Sequence, residues 1–218
     1  MPEELNLARS YWYDFLASLL SYPFSLADFE ERLRAKLEQV ATAAEVLRED
    51  AGYGLDPEAV MNEIRAIRGY AELVDLQADY VSRLDKPSPS HVLSPFESVH
   101  RRGQVDLGTV AALQQLYRTY GLGLASDLPE MADHAMFELA FMSYLALKEA
   151  EADAVEQVAV ADELRRAQAA FLQEHLLPWM PQWLGNLAEA AEHPLLKAAA
   201  ELGRLTLDRE AEVLGAAS

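Results

Sequence analysis

The chain contains no cysteine. Disulfide staples, thiolate metal sites and cysteine nucleophiles are therefore excluded. Isoleucine is nearly absent too, represented only by Ile64 and Ile67. Strand-favouring β-branched residues are scarce, while alanine, leucine and glutamate, all helix formers, abound. That balance predicts an all-α protein. No apolar run reaches the roughly 18 residues of a membrane span, so none is expected. The opening residues MPEELNLARSYWYDF have neither a basic start nor a small-residue cleavage site, so no secretory signal is read there. Basic residues are few: 18 Lys plus Arg stand against 36 Asp plus Glu, a formal net charge of -18. Such a sheath repels nucleic-acid backbones, whose binders present basic surface. It also disfavours anionic membranes and speeds the approach of a cationic partner, although most of these charges need do no more than keep the protein soluble.

What is present is enough for a core. The 218 residues are 51% hydrophobic and 9% aromatic, which suits one large domain or two small ones. Leu5, Ala8, Trp12, Leu16, Leu19 and Leu20 form the stripe of a first helix, stopped at Tyr22-Pro23. Ser25 reads as the N-cap of a second helix, running from Leu26 towards Arg48. Gly52 and Gly54 mark a turn. Asp56-Pro57 then starts a third helix, with Pro at its first position, which reaches about Leu84 and which Gly69 bends or divides. From Asp85 to Leu107 the helical period is lost among Pro87, Pro89, Pro95 and several serines. A connection this long is usually functional or a linker, and Phe96 and Val99 give part of it something to pack. It divides the chain into an N-terminal helical part (1–85), a connection or hinge (86–107) and a C-terminal helical part (108–218). In the last part, helices are expected from Asp106 or Gly108 to Gly121, up to about Asp153, from Val158 to Trp183 with kinks at Pro178 and Pro181, and from Ala188 to Leu214 with a break at His193-Pro194.

The stretch Asp127–Lys148, DLPEMADHAMFELAFMSYLALK, organises that C-terminal part. A polar, proline-containing loop becomes an apolar helix in which His134, Phe137 or Glu138, Phe141 and Leu145 share a face. Asp133 and His134 sit at the junction. One reading is a buried amphipathic helix with a favourable Asp in its first turn. The other is a recognition pair on a rigid support. A carboxylate accepts two hydrogen bonds from a guanidinium, and the neighbouring histidine titrates near neutrality. A groove rimmed by Glu130, Asp133 and Glu138, with a floor drawn from Trp12, Tyr13, Tyr80, Phe96, Phe137 and Phe141, would suit a peptide carrying arginines and hydrophobic residues. Core packing is the alternative for each aromatic. His175, on an apolar face with Leu176, Trp179 and Trp183, reads first as a satisfied core histidine.

Other chemistry lacks its residues. There is no HExxH, GxSxG elbow, Walker lysine or dinucleotide fingerprint. Asp133, His134 and Glu138 offer metal donors without a fourth ligand, so a metal-assisted hydrolase using them is a minor alternative. A helical scaffold that binds a folded partner is another. Arg101-Arg102 reads as a solvated basic turn.

Three segments, in order, resemble the TorD/DmsD/NarJ-type chaperones, the redox enzyme maturation proteins of molybdoenzymes. Leu93-Ser94-Pro95-Phe96-Glu97-Ser98-Val99-His100 is similar to the family's P-Y-E-S-V-Y. Glu130-Met131-Ala132-Asp133-His134, leading into Glu138-Leu139-Ala140-Phe141-Met142-Ser143-Tyr144-Leu145, is similar to E-P-x-D-H and E-L-x-F-M-x-x-L. Phe171 to Trp179, FLQEHLLPW, is similar to F-x-x-x-H-L-x-x-W. The resemblance covers roughly residues 8 to 190 and implies a single all-helical TorD-like bundle. It implies a cytoplasmic chaperone, not an enzyme, with no cofactor of its own. Such proteins bind the twin-arginine signal peptide and, in some members, the apo form of a molybdenum-cofactor oxidoreductase, assisting cofactor insertion and delaying export. Carried onto this chain, the signal-peptide residues are Asp133 and His134, with Glu130, Glu138, Phe96, Glu97, Ser98 and Tyr80 around them. Some members form domain-swapped homodimers, which the hinge at 86–107 would allow. Guanine-nucleotide binding, proposed for some, finds no support in this sequence. Met131 departs from the family's Pro, and Phe96 and His100 replace its tyrosines, so client preference is left open.

Overall fold

The computed structural model describes residues 2–54, 56–85, 92–123 and 131–215. The expected site residue Glu130 and the hinge positions 86–91 lie outside them. Among the described residues the protein is an all-α bundle. Strand-like pairing is limited to one isolated antiparallel bridge between Phe96 and His134.

The elements follow from local chemistry. Helix α1 spans Pro2–Leu19 and ends ahead of Pro23. Ser25 caps α2 (Leu26–Arg32), its hydroxyl accepting from Asp28 N at 3.1 Å. The expected continuous helix to Arg48 is broken by a 3-10 turn at Arg34–Lys36, after which α3 runs Leu37–Ala51. Leu33 and Leu37, on either side of the break, are both buried in the core. Gly52, at φ 64, ends α3 in the left-handed conformation that glycine adopts at least cost. The third expected helix is divided near Gly69 into α4 (Glu58–Ala66) and α5 (Tyr70–Tyr80). Pro57 stands one place earlier than expected, as the N-cap of α4.

Within the expected irregular connection lies a short helix, α6 (Glu97–Arg102). It is followed by α7 (Leu107–Thr119), capped by Asp106. Helix α8 (Ala135–Ala154) comes next, then α9 (Val158–Phe171). The expected run from Val158 to Trp183 is interrupted by a π turn at Leu172–Leu176, before α10 (Met180–Ala190) and α11 (Pro194–Val213). The π turn is fixed by Leu177 N donating to Leu172 O at 2.9 Å. The extra residue it accommodates rotates His175 relative to α9, as such bulges do at functional sites.

Helix α8 is the axis. It packs on α1 and on α9, while α11 packs on α10, α4 and α1. Flanking on more than one side explains why α8 buries Leu139, Phe141, Met142, Leu145, Ala146 and Ala150. Trp12, Phe15 and Leu16 from α1 join Leu139 and Met142 of α8 and Trp183 of α10 in one core. Each fully buried large apolar side chain there contributes about 1.5–3 kcal/mol.

The core also holds a buried charged knot. Arg9 of α1 donates to Glu210 of α11 through Nε at 2.8 Å and Nη2 at 2.6 Å, and to Asn6 Oδ1 at 3.0 Å. Tyr53 donates to the same Glu210, and Glu149 of α8 lies 3.6 Å from Arg9. Burial alone would raise the Glu210 carboxyl, but the charge and hydrogen bonds of Arg9, with the Tyr53 bond, hold it below its usual range.

Candidate functional site

The three motifs, far apart in the chain, meet at the start of α8. The first two form a backbone clasp. Ala135 N donates to Pro95 O at 2.8 Å, and Glu97 N donates to Asp133 O at 2.9 Å. Asp133 Oδ2 then accepts from Ser98 N at 3.1 Å, so its carboxylate satisfies a free amide of α6. His134 caps α8, with Nδ1 accepting from Met136 N at 3.1 Å. Because Nδ1 is an acceptor, the ring proton sits on Nε2.

The third motif closes the other side. His175 Nδ1 lies 3.1 Å from Glu97 Oε2, and Trp179 Nε1 donates to Glu138 Oε2 at 3.3 Å. His100 stacks on Trp179, and His175 on Phe171, with ring centroids 5.0 and 4.8 Å apart. Arg101 Nη1 donates to Glu97 Oε1 at 2.5 Å.

Three carboxylates thus share one buried place: Glu97, Asp133 and Glu138 are each 0% exposed. Burial first, then the nearby charges of Glu97 and Asp133, push the Glu138 carboxyl well above its ordinary range. Asp133 Oδ1, Glu138 Oε1 and Ser98 Oγ are buried without a hydrogen-bond partner. Leaving such atoms unmet costs free energy, so this is where the fold is least satisfied and best able to accept a donor.

The expected residues are distributed as follows. Asp133, His134, Glu138, Glu97 and Ser98 come together, all buried. Phe96 is half-buried and sits edge-on to His134 at 5.1 Å. Phe137, also half-buried, flanks His134 at 6.4 Å. Trp12, Tyr13 and Phe141, candidates for an aromatic floor, are core residues instead. Tyr80 is brought to the end of α1, where its hydroxyl donates to Leu20 O and its ring meets Tyr22 at 5.4 Å. His175 is 18% exposed and faces Glu97, which makes it part of the cluster. Arg101 and Tyr117 were not legible as neighbours of the site. Tyr117 donates to Ala132 O at 3.0 Å, bracing the loop before Asp133. Among the described residues no three histidine, aspartate or glutamate side chains are arranged to hold a metal ion.

Burial carries a pH signature. Desolvation lowers the His134 pKa from 6.5 to about 4. An unfolded chain therefore binds a proton at this residue between those values, while the fold does not. The contribution is complete above pH ~6.5 and is lost as pH falls towards ~4. Glu138, raised in the fold, acts in the opposite direction, its cost easing as pH falls. The His134 contribution is isolated by His134→Asn, which keeps a capping acceptor. Urea midpoints at pH 7.5 and 4.5 should show wild type losing about 2–3 kcal/mol more than the variant. Equal losses would mean that His134 is not held neutral by burial.

A family model described as "Nitrate reductase delta subunit" matches residues 28–185, which is most of the chain. The chain belongs to the nitrate reductase delta subunit family. Curated relatives agree with this. The chain is 32% identical over 148 residues to a selenate reductase assembly chaperone protein of Thauera selenatis, covering 64% of this chain and 74% of the relative. It is 29% identical over 179 residues to a perchlorate reductase assembly chaperone protein of Dechloromonas aromatica, covering 81% and 76%. It is 23% identical over 212 residues to the chaperone protein TorD of Vibrio cholerae, covering 96% and 93%. This delta subunit family protein is homologous to the TorD/DmsD/NarJ-like redox enzyme maturation chaperones. Its role at that level is a chaperone's, not an enzyme's. No described helix is long and apolar enough to cross a membrane.

Proposed function

We propose that this chaperone binds the twin-arginine signal peptide and the apo form of a molybdenum-cofactor oxidoreductase in the cytoplasm. It assists cofactor insertion and delays export until the client is mature. The observation that carries the proposal is the meeting of all three motifs in a buried, incompletely satisfied acid cluster beside the half-buried rings of Phe96 and Phe137.

In this reading Asp133 keeps Oδ2 on the Ser98 amide and offers Oδ1 to a guanidinium. Glu97 and Glu138 supply further acceptors, His134 shapes the rim, and Ser98 contributes a hydroxyl. Glu130 and Tyr80 are the remaining residues of the proposed binding set. The hydrophobic part of the signal lies against Phe96 and Phe137, where most of the affinity arises. The net charge of -18 speeds the encounter with a cationic peptide.

The test is calorimetric titration with twin-arginine signal peptides from the organism's own oxidoreductases, each beside its Ala-Ala version. Asp133→Ala is expected to weaken binding by about 1–3 kcal/mol. Asp133→Asn keeps an acceptor for the Ser98 amide and removes the charge, so it separates binding from folding. Wild-type affinity in a folded Asp133→Asn protein would sink the assignment of Asp133. Failure of every signal peptide, with capture of a folded client core, would favour a scaffold.

A further inference from the structure

The acid cluster already holds an arginine. Arg101 Nη1 donates to Glu97 Oε1 at 2.5 Å and to the Glu174 backbone carbonyl at 3.1 Å. It therefore spans from α6 to the π turn that carries His175. Its side chain is 42% exposed, whereas the Glu97 it contacts is 0% exposed. The guanidinium is thus the solvent-facing partner of a carboxylate that solvent itself does not reach. Behind Glu97, the buried Asp133 Oδ1 and Glu138 Oε1 are without partners. The next residue, Arg102, is exposed and acts on Asp106.

From this arrangement we propose that Arg101 is a resident stand-in for a ligand arginine: it occupies the Glu97 end of the cluster in the free protein and is displaced when a twin-arginine peptide binds. The inference rests on the signal-peptide reading above and adds to it a competitor built into the chain. The chemistry is matched. An incoming guanidinium offers the same planar donors to Glu97 and the same hydrogen bond to the Glu174 carbonyl. Exchange leaves the number of charged pairs unchanged, so Glu97 is never buried without a cation. The cost is that part of the ligand's affinity goes into breaking the Arg101 contact, which lowers apparent affinity by the fraction of molecules in which the site is free. Arg101 is half in water, so this tax is modest, of the size of an exposed ion pair. It also sets selectivity. A lysine has one compact ammonium and replaces the fork less completely, so the resident arginine excludes lysine ligands more strongly than arginine ones.

The experiment uses the full chain and the labelled twin-arginine peptide that binds best in the titration above, followed by fluorescence anisotropy, with thermal melts to confirm folding. Arg101→Gln is compared with Arg102→Gln. Both remove one positive charge, so both strengthen long-range attraction equally, but only the first vacates Glu97. Arg101→Gln is expected to bind about two- to fivefold more tightly than Arg102→Gln, and to narrow the preference for the Arg-Arg over the Lys-Lys peptide. Equal affinities in the two folded variants would overturn the stand-in role while leaving the signal-peptide reading intact. If Arg101→Gln does not fold, Arg101→Lys serves instead: tighter binding than wild type supports the proposal, and unchanged binding overturns it. Absence of binding to wild type and all variants removes the signal-peptide reading, and the stand-in role falls with it.

Discussion

Replacing Arg9 by methionine is expected to destabilise the fold by about 3–5 kcal/mol, the range for removing one partner of a buried ion pair. At this chain length that corresponds to a loss of roughly 10 °C in Tm. The reason is where Arg9 stands. It is 2% exposed and joins α1 to α11 through Glu210, with Glu149 of α8 close by. Methionine fills much of the volume but leaves Glu210 and Glu149 buried without their shared cation. Glu149 keeps Arg165 and Gln168, at 2.8 and 2.6 Å, so Glu210 bears most of the loss. Tyr53 still donates to it but brings no balancing charge. The sign of the pH effect follows. In wild type the Glu210 pKa is lowered, so its contribution is present above pH ~4.5 and disappears as pH falls below that value. In the variant Glu210 takes up a proton more readily, so the gap between the two proteins should narrow in acid. A second change, Glu210→Leu, should recover part of the loss, because an apolar pair of similar volume needs no desolvation. Urea unfolding of the four proteins of this cycle measures the coupling. A cost below about 1 kcal/mol for Arg9→Met would show that the knot is solvated in solution.

Trp183→Ala should have an effect of similar size, about 3–5 kcal/mol, with a local consequence that Arg9→Met lacks. Trp183 is fully buried on α10, its ring 5.4 Å from that of Trp179. Its indole N–H also donates to Leu93 O at 3.1 Å. That bond anchors the segment leading to Phe96, Glu97 and Ser98. Truncation opens a large cavity and frees this anchor together, so amide exchange from Leu93 to His100 should rise more than in helices α1 or α11. Trp183→Phe keeps most of the apolar contact but leaves the Leu93 carbonyl unmet, costing about 1–3 kcal/mol. Exchange that rises uniformly in Trp183→Ala would show that Trp183 contributes packing alone.

These two residues mark the boundary between what is legible in a sequence and what is not. The helical class and most helix ends are carried by local chemistry. Ser25 caps α2, Gly52 ends α3, and His193-Pro194 starts α11 because each acts on backbone groups within a few residues of itself. Chain order alone also brings out the three motifs, since spacing and residue type are enough to show a family pattern. The breaks at Arg34–Lys36 and Leu172–Leu176 carry no such local mark. Each falls where the chain passes between helices with different neighbours distant in sequence: α3 lies on α1, α9 on α8 and α10 on α11.

The site shows the same division. Asp133 and His134 are conspicuous in sequence as a polar pair ahead of an apolar helix. Burial is not conspicuous, because it depends on α6, α8 and the π turn closing together. Only that closure makes Asp133 a partner of the Ser98 amide, turns His175 towards Glu97 and raises the pKa of the Glu138 carboxyl. Arg101, an ordinary basic residue by sequence, acquires its meaning from a carboxylate four residues back and a carbonyl 73 positions away. Sequence by itself determined the helical class, most helix ends, the charge and the residue types available for recognition. The tertiary structure decided which of them meet and which lose their water, because desolvation and pairing belong to groups brought together in space rather than to neighbours along the chain.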